Sequence, residues 1–407
     1  MGFRYLGYKC EEVRGLSHIK KGLPCEDSSG IVNKADYTIA AISDGHGTSR
    51  CCRSNRGSRF AVRSSIDSAQ ALIESIKCTN EGIIAPDKVE SSLGHLKKTI
   101  LYAWNEMVED DIREHPFNLE EEIKRPKEKY IQRYIAGVEL QKMYGATLSM
   151  LCVAEDFWFA IQIGDGDVAL RFPCGYFMPF LEDDEDDFVG EVTDSICEDD
   201  AITKMTAYYS PIDDEHPAPI AGVVNSDGIS KSYPTYESQY RFYEGLFRHL
   251  VDVGLAEGLA DFQALLPHVS EMGSGDDLSI AGFIDLGADW ISVDDYRETS
   301  LMVESSDDLA TADGEVYDEQ VQEETEGAGA GDCDGAFPLE AGIPDAEVAQ
   351  EANGVTHGVA TAANEGGEHA DDGEPPNSCS AHKISIDVAH LDTEQTDPTA
   401  MEQAKEG

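Results

Sequence analysis

Tyr37-Thr38-Ile39-Ala40-Ala41-Ile42-Ser43 runs directly into Asp44-Gly45-His46-Gly47. The apolar run is short and stopped by a glycine-rich turn, which reads as a buried strand. Its end presents a carboxylate, a flexible backbone and an imidazole within three residues. A strand end fixes position while the loop beyond it exposes side chains, so function concentrates at such junctions. Glycines on both sides of His46 permit positive φ and a close approach to the backbone, and a metal ion or a phosphate is the expected visitor. Taken alone, Asp-Gly is also a common turn.

The pattern recurs four times. Cys25-Glu26-Asp27-Ser28 precedes Ser29-Gly30-Ile31-Val32, which reads as the start of a strand. Gly164-Asp165-Gly166-Asp167 follows the apolar run Phe157–Ile163. Val223-Val224-Asn225-Ser226-Asp227-Gly228 repeats the strand followed by Asp-Gly, and Gly275-Asp276-Asp277 stands just before Leu278-Ser279-Ile280. Acidic residues at strand ends so far apart in the chain imply convergence in the fold rather than one local metal loop. Hard cations such as Mg²⁺ or Mn²⁺ take carboxylate, carbonyl and water oxygens, and such a site can hold two of them and activate a water.

The ordered set Glu-Asp, Asp-Gly-His-Gly, Gly145-Ala146-Thr147-Leu148, Gly-Asp-Gly, Ser-Asp-Gly and Gly-Asp-Asp resembles the metal-dependent protein phosphatases of type 2C, over about residues 1–286. Any one of the motifs alone is a weak match; in this order they are specific. The resemblance implies two Mg²⁺ or Mn²⁺ ions per domain. Asp44 then bridges both and the Gly45 carbonyl is a ligand of one. Glu26 belongs to the second metal with Asp27 beside it, and Asp227 and Asp276 complete the first. Asp165 matches an aspartate associated in some members with a third, weaker metal. His46 matches a general acid towards the leaving seryl or threonyl oxygen, and Thr147 a structural position below the site. The implied activity is hydrolysis of phosphoserine and phosphothreonine by in-line attack of a water bridging the two metals, with positioning and electrostatics supplying most of the effect. The implied partners are a phosphoprotein substrate and a Ser/Thr kinase system.

Departures concern phosphate recognition. Many members carry an arginine shortly before Glu-Asp, but Ser17-His18-Ile19-Lys20-Lys21-Gly22-Leu23-Pro24 has none. Arg14 lies further upstream. Lys20, Lys21 and His18 are the substitute phosphate contacts, although lysine lacks the guanidinium fork and a Lys-Lys pair is equally well a solvated loop. Asp277 stands where many relatives have asparagine, and Asp167 where many have arginine.

Between the motifs, apolar residues recur at three and four around Phe60–Ile76, Val89–Val108 and Phe242–Val253, the period of amphipathic helices. Strands read at 37–43, 147–153, 157–163, 167–172, 220–225 and 278–284. Strands grouped without intervening helices favour antiparallel hairpins and an α+β class. The family's four-layer α-β-β-α sandwich, two antiparallel sheets flanked by helices, is consistent with that. Residues 113–140 read as a charged surface excursion ending in a helix. Residues 180–217, with six consecutive acidic residues at 182–187, read as an acidic flap-like insertion.

The phosphatase-like domain is expected over 1–287 and an acidic, disordered tail over 288–407. From 291 onward, 30 Asp and Glu face only Arg297, Lys383 and Lys405, and such a composition buries too little apolar surface to offset the entropy of ordering. Lys383–Ala389 alternates like a strand able to dock on a partner. The net charge of −50 argues against nucleic-acid and anionic-membrane partners. No long apolar run or charged-then-apolar leader is seen, and ten cysteines without metal-ligand spacing fit reduced thiols. The expectation is a cytoplasmic monomer. Two alternatives stay open: a phosphatase-like binding or regulatory module with weak or no catalysis, and a scaffold whose acidic tail holds a basic partner.

Overall fold

The computed structural model describes residues 3–179 and 193–290 and the backbone of 382–384. In chain order the elements are β1 (Leu6–Lys9), α1 (Leu16–Lys21), β2 (Ser28–Asn33), β3 (Tyr37–Ser43), α2 (Ser54–Thr79), α3 (Pro86–Glu114), α4 (Glu128–Ile135), β4 (Leu148–Ala154), β5 (Phe157–Ile163), β6 (Asp167–Arg171), β7 (Phe177–Pro179), α5 (Ala201–Lys204), β8 (Thr206–Pro211), β9 (Ala221–Asn225), α6 (Asp227–Ser230), α7 (Tyr236–Val253), α8 (Leu255–Met272), β10 (Ile280–Ile284) and β11 (His382–Ile384). One sheet has the order β1-β10-β9-β6-β7 and the other β11-β8-β5-β4-β3-β2, with every pairing antiparallel.

The layers follow from which faces are apolar. Ala40, Ile42, Leu151, Val153 and Trp158 from one sheet meet Val168, Leu170, Val224 and Phe283 from the other in a core between the sheets. The opposite face of the β3–β4–β5 sheet packs Ile39, Met150 and Phe159 against the α2 and α3 stripe Ile66, Ile73, Leu93, Ile100 and Trp104. The outer face of the β9–β10 sheet packs Val223 and Ile280 against Tyr243, Leu246, Phe247 and Leu266 of α7 and α8. Central strands are buried on both faces, which is why β4 and β5 read as continuous hydrophobic runs rather than alternating ones. This is the α-β-β-α sandwich expected from the motifs. Local signals agree: Pro86 opens α3 at a position where its missing N–H costs nothing, and Thr235 and Ser238 close a capping box on α7.

The six strands read from sequence all form, within a residue or two at their ends. β1, β7 and β8 were not read as strands. β8 corrects the reading of 180–217 as an insertion throughout, because Thr206–Pro211 is an integral strand paired along β5, with Tyr209 opposite Phe159. The six-acid run 182–187 and nearly all of the tail lie outside the described residues. Within the tail, the backbone of His382–Ile384 forms a strand, and it pairs with this chain's own β8, Ile384 opposite Ala207. No described helix is long and apolar enough to cross a membrane, and none of the eight described cysteines is in a disulfide.

Candidate metal centre

Antiparallel register gathers the acidic motifs. The end of β3 lies beside the start of β2, with Ser43 opposite Ser28, and the start of β4 lies beside the end of β5, with Leu148 opposite Ile163. In the other sheet the end of β9 meets the starts of β10 and β6, with Asn225 opposite Ile280 and Asp167. A bond from the Glu26 amide to the Asp277 carboxylate, 2.6 Å, joins the two sets of ends, and within the second set Ser226 and Ser279 exchange bonds of 3.0 and 3.2 Å just beyond Asn225.

Each functional side chain has its own support. The Asp44 amide donates to Thr147 Oγ1 at 3.0 Å and its carbonyl accepts from the Thr147 amide at 2.8 Å, so one residue holds Asp44 from two sides. The Gly45 amide donates to the Glu26 carbonyl at 3.1 Å. A Cβ at Gly45 would stand 2.8 Å from that oxygen and 2.9 Å from the Ser54 carbonyl, so the close approach requires glycine. Gly228 likewise presses against the Asp277 backbone, which ties the Ser-Asp-Gly segment to Gly-Asp-Asp. Asp227 opens the short helix α6. Asp276 is half-buried at the mouth of β10, and Asp165 follows the positive-φ Gly164 and accepts from Thr193 Oγ1 at 3.0 Å.

The acids burden one another. Burial, then the charges of Asp27 and Asp227, hold the Asp44 carboxyl well above the usual range. Burial pushes Asp27 up to about 7, opposed by the nearby Ser226 hydroxyl. Asp227 is raised by burial and by Asp165, and Glu26 is raised by burial against the pull of Lys124. Buried acids placed close together are a setting in which a cation offsets the charge. Glu26 Oε2, both Asp27 oxygens and Asp227 Oδ1 are buried and make no hydrogen bond of ordinary geometry. Four such oxygens within one cluster of hard donors fit a divalent ion of the Mg²⁺ or Mn²⁺ type. Among the described residues no three acids, histidines or cysteines stand ready-made around one point; lysines are inserted among the acids instead. Lys124 pairs with Glu26, and Lys231, one helical turn after Asp227, pairs with Asp227 and lies 3.7 Å from Asp165.

His46 sits beside this cluster. Its amide donates to the Gly145 carbonyl at 3.1 Å, and its Nε2 is buried without a partner. Burial lowers its pKa, while the charges of Asp165 and Glu198 pull the other way.

The expected phosphate contacts fall differently. His18 is not turned outward: its ring is buried against Asp277, Nδ1 to carboxylate oxygen 2.7 Å. Lys20 and Lys21 lie exposed in the last turn of α1, and Arg14 is exposed. Asp167 is buried and accepts from Gln239 Nε2 at 2.6 Å and the Tyr243 hydroxyl at 2.7 Å, so it belongs to a polar network under α7. Three residues at the site were missed in the sequence: Ser54, Lys124 and Lys231. Lys231 carried a readable signal, the i,i+4 spacing from Asp227; Lys124 carried none.

A sequence profile of the protein phosphatase 2C family matches residues 14–263. No curated protein matches the chain significantly. Similar solved structures include the catalytic domain of the serine/threonine phosphatase PstP in complex with two manganese ions, at 15% identity and a TM-score of 0.40, covering 70% of this chain and 98% of that one. Stp1 of Staphylococcus aureus is similar at 14% identity and 0.42, covering 69% and 94%. PppA of Pseudomonas aeruginosa is similar at 12% and 0.41, covering 70% and 98%. With the motifs in order, the sandwich in place and the profile spanning most of the described sequence, the chain belongs to the protein phosphatase 2C family.

Proposed function

We propose that residues 1–287 form a phosphoprotein phosphatase that depends on Mg²⁺ or Mn²⁺ and hydrolyses phosphoserine and phosphothreonine. The observation that carries this reading is the set of buried carboxylate oxygens without hydrogen-bond partners on Glu26, Asp27 and Asp227, clustered with Asp44 and beside the imidazole of His46. Asp44 is the proposed ligand common to both positions, with Asp227 and Asp276 on one side, Glu26 and Asp27 on the other, the Gly45 carbonyl serving one of them and Asp165 at the periphery. Bound there, divalent ions supply charge neutralisation at phosphorus and a water acidic enough to attack it.

This chain's own residues do the rest. Thr147 fixes the Asp44 backbone, and Asp277 fixes that of Glu26, so the ligands are held before substrate arrives. Burial lowers the His46 pKa and so favours the neutral imidazole. A phosphoryl dianion alongside favours the imidazolium, which then has its proton at hand for the departing seryl oxygen. No covalent enzyme intermediate is needed.

The strongly negative chain supports protein substrates rather than nucleic acid or an anionic membrane, and the described cysteines, free of disulfides, are in keeping with work in the cytoplasm; action as a monomer opposing a Ser/Thr kinase belongs to the same proposal. The test is hydrolysis of p-nitrophenyl phosphate and of a phosphothreonine peptide by metal-stripped protein, with and without Mn²⁺. Pure, folded protein inactive at saturating Mn²⁺ would sink the reading. It would leave the second one, a phosphatase-like binding module, which the missing arginine in Ser17–Pro24 favours.

A further inference from the structure

The ammonium of Lys124 sits in a cage of oxygens. It pairs with Glu26 Oε1 and lies 3.3 Å from Ser54 Oγ, 3.4 Å from the Cys51 carbonyl and 3.5 Å from the His46 carbonyl. Its side chain is only 11% exposed. A carboxylate, a hydroxyl and two backbone carbonyls are the donor set a hard cation takes. Here the cation is part of the chain.

The placement is built. Two residues earlier, Glu122 is buried and receives the Arg53 guanidinium through Nε at 3.0 Å and Nη2 at 2.5 Å. The same guanidinium donates to the His115 carbonyl at 2.7 Å and the Tyr144 hydroxyl at 2.8 Å. The loop between α3 and α4 is thus anchored to the start of α2, and the anchor delivers Lys124 to Glu26. Lys231 differs, because its side chain is 57% exposed and it reaches Asp227 from the end of the same short helix, with Asp165 at 3.7 Å.

We propose that Lys124 is a tethered cation that competes with a divalent ion for Glu26. Binding of metal at Glu26 then requires the ammonium to leave, and the two metal positions are unequal in affinity because only one has a buried internal competitor. The proposal rests on the reading of Glu26 as a metal ligand. A cavity lined by Glu26, Arg56, Arg59, Glu121 and Lys124 itself adjoins the cage, and Glu121 offers the released ammonium a carboxylate there.

Two measurements on the full chain test this. In the first, metal-stripped wild-type protein is treated with formaldehyde and cyanoborohydride, with and without saturating Mn²⁺, and methylation is read at each lysine by peptide mass spectrometry. Lys124 is expected to react more slowly than the exposed Lys20 and Lys21 without metal, and to gain reactivity with Mn²⁺. In the second, calorimetric titration with Mn²⁺ is compared for wild type, Lys124→Met and Lys124→Arg. Lys124→Met is expected to tighten the weaker site roughly tenfold and leave the tighter one unchanged, while Lys124→Arg does not tighten it. Unchanged or falling Lys124 reactivity overturns the proposal, as does unchanged Mn²⁺ affinity in Lys124→Met; if that variant does not fold, the methylation result decides. Absence of any Mn²⁺ binding in all three proteins overturns the metal-centre reading as well, and so is distinguishable.

Discussion

His18 Nδ1 lies 2.7 Å from a carboxylate oxygen of Asp277, and that carboxylate also accepts the amides of Gly15 at 2.7 Å and Glu26 at 2.6 Å. One buried acid therefore ties α1, the segment leading to Glu26 and the start of β10 into a single knot. Asparagine in its place can accept, but has no charge with which to hold an imidazolium.

The pair has a calculable pH window. The hydrogen bond to Asp277 raises the His18 pKa above 6.5, so its contribution is complete below 6.5 and is lost as pH rises through the raised value. Burial pushes Asp277 up, but His18 and the Glu26 amide outweigh it and hold the carboxyl below 3.8; that contribution is present above 3.8 and lost as pH falls through the lowered value. His18→Ala is expected to cost about 1–3 kcal/mol near pH 5.5 and distinctly less near pH 8.5. Urea unfolding at the two pH values checks this; an equal cost at both would show that the pair is not charged.

The acid cluster gives the metal-free protein a second pH dependence. Asp44, Asp27 and Asp227 have raised pKa values, so each favours folding below its ordinary 3.8 and progressively less as pH rises through its raised value, about 7 for Asp27. Metal-stripped protein is expected to melt at a lower temperature at pH 8 than at pH 6, and Mn²⁺ to shrink that difference. Thermal melts with chelator and with Mn²⁺ at both values decide it.

Asp44→Asn separates stability from chemistry. It removes one of the mutually repelling buried charges, so the metal-free variant is expected to melt no lower than wild type. It is also expected to lose the Mn²⁺-induced rise in melting temperature and to slow hydrolysis by about a thousandfold or more. A variant that keeps the Mn²⁺ shift would remove Asp44 from the metal centre.

Thr147→Val preserves shape but leaves the Asp44 amide without its acceptor. The expected cost is about 1–2 kcal/mol of stability and roughly a tenfold fall in kcat, through a misplaced carboxylate. Steady-state kinetics on Thr147→Ser, which restores the oxygen, should recover most of the loss.

Much of this was legible because β3, β5 and β9 are buried runs that stop at Asp-Gly or Gly-Asp, or within two residues of one, and β10 is a buried run that follows Gly-Asp-Asp, and antiparallel pairing then brings these ends together. His18 was misread because a loop histidine and a buried one look alike in sequence; its burial depends on Asp277, 259 positions away. Lys124 was illegible for the same physical reason. It lies in a run of Glu, Lys and Arg that reads as solvated, and only the Arg53–Glu122 pair, across 69 positions, draws it inward. β8 was hidden by its flanking acidic segment and by Pro211 at its end.

The proposed metal ligands are divided between the sheets: Glu26 and Asp44 stand at the ends of β2 and β3, Asp227 and Asp276 at those of β9 and β10. The layer of Ala40, Leu151, Val168, Val224 and Phe283 between the sheets therefore works as a spacer gauge for the cleft. Shaving Leu151 to alanine would thin that spacer beneath the cleft. The expected signature is an altered preference among Mg²⁺, Mn²⁺ and the larger Ca²⁺ when Leu151→Ala is titrated with each ion; if the proposed centre binds metal, its ion choice is then set partly by hydrocarbon.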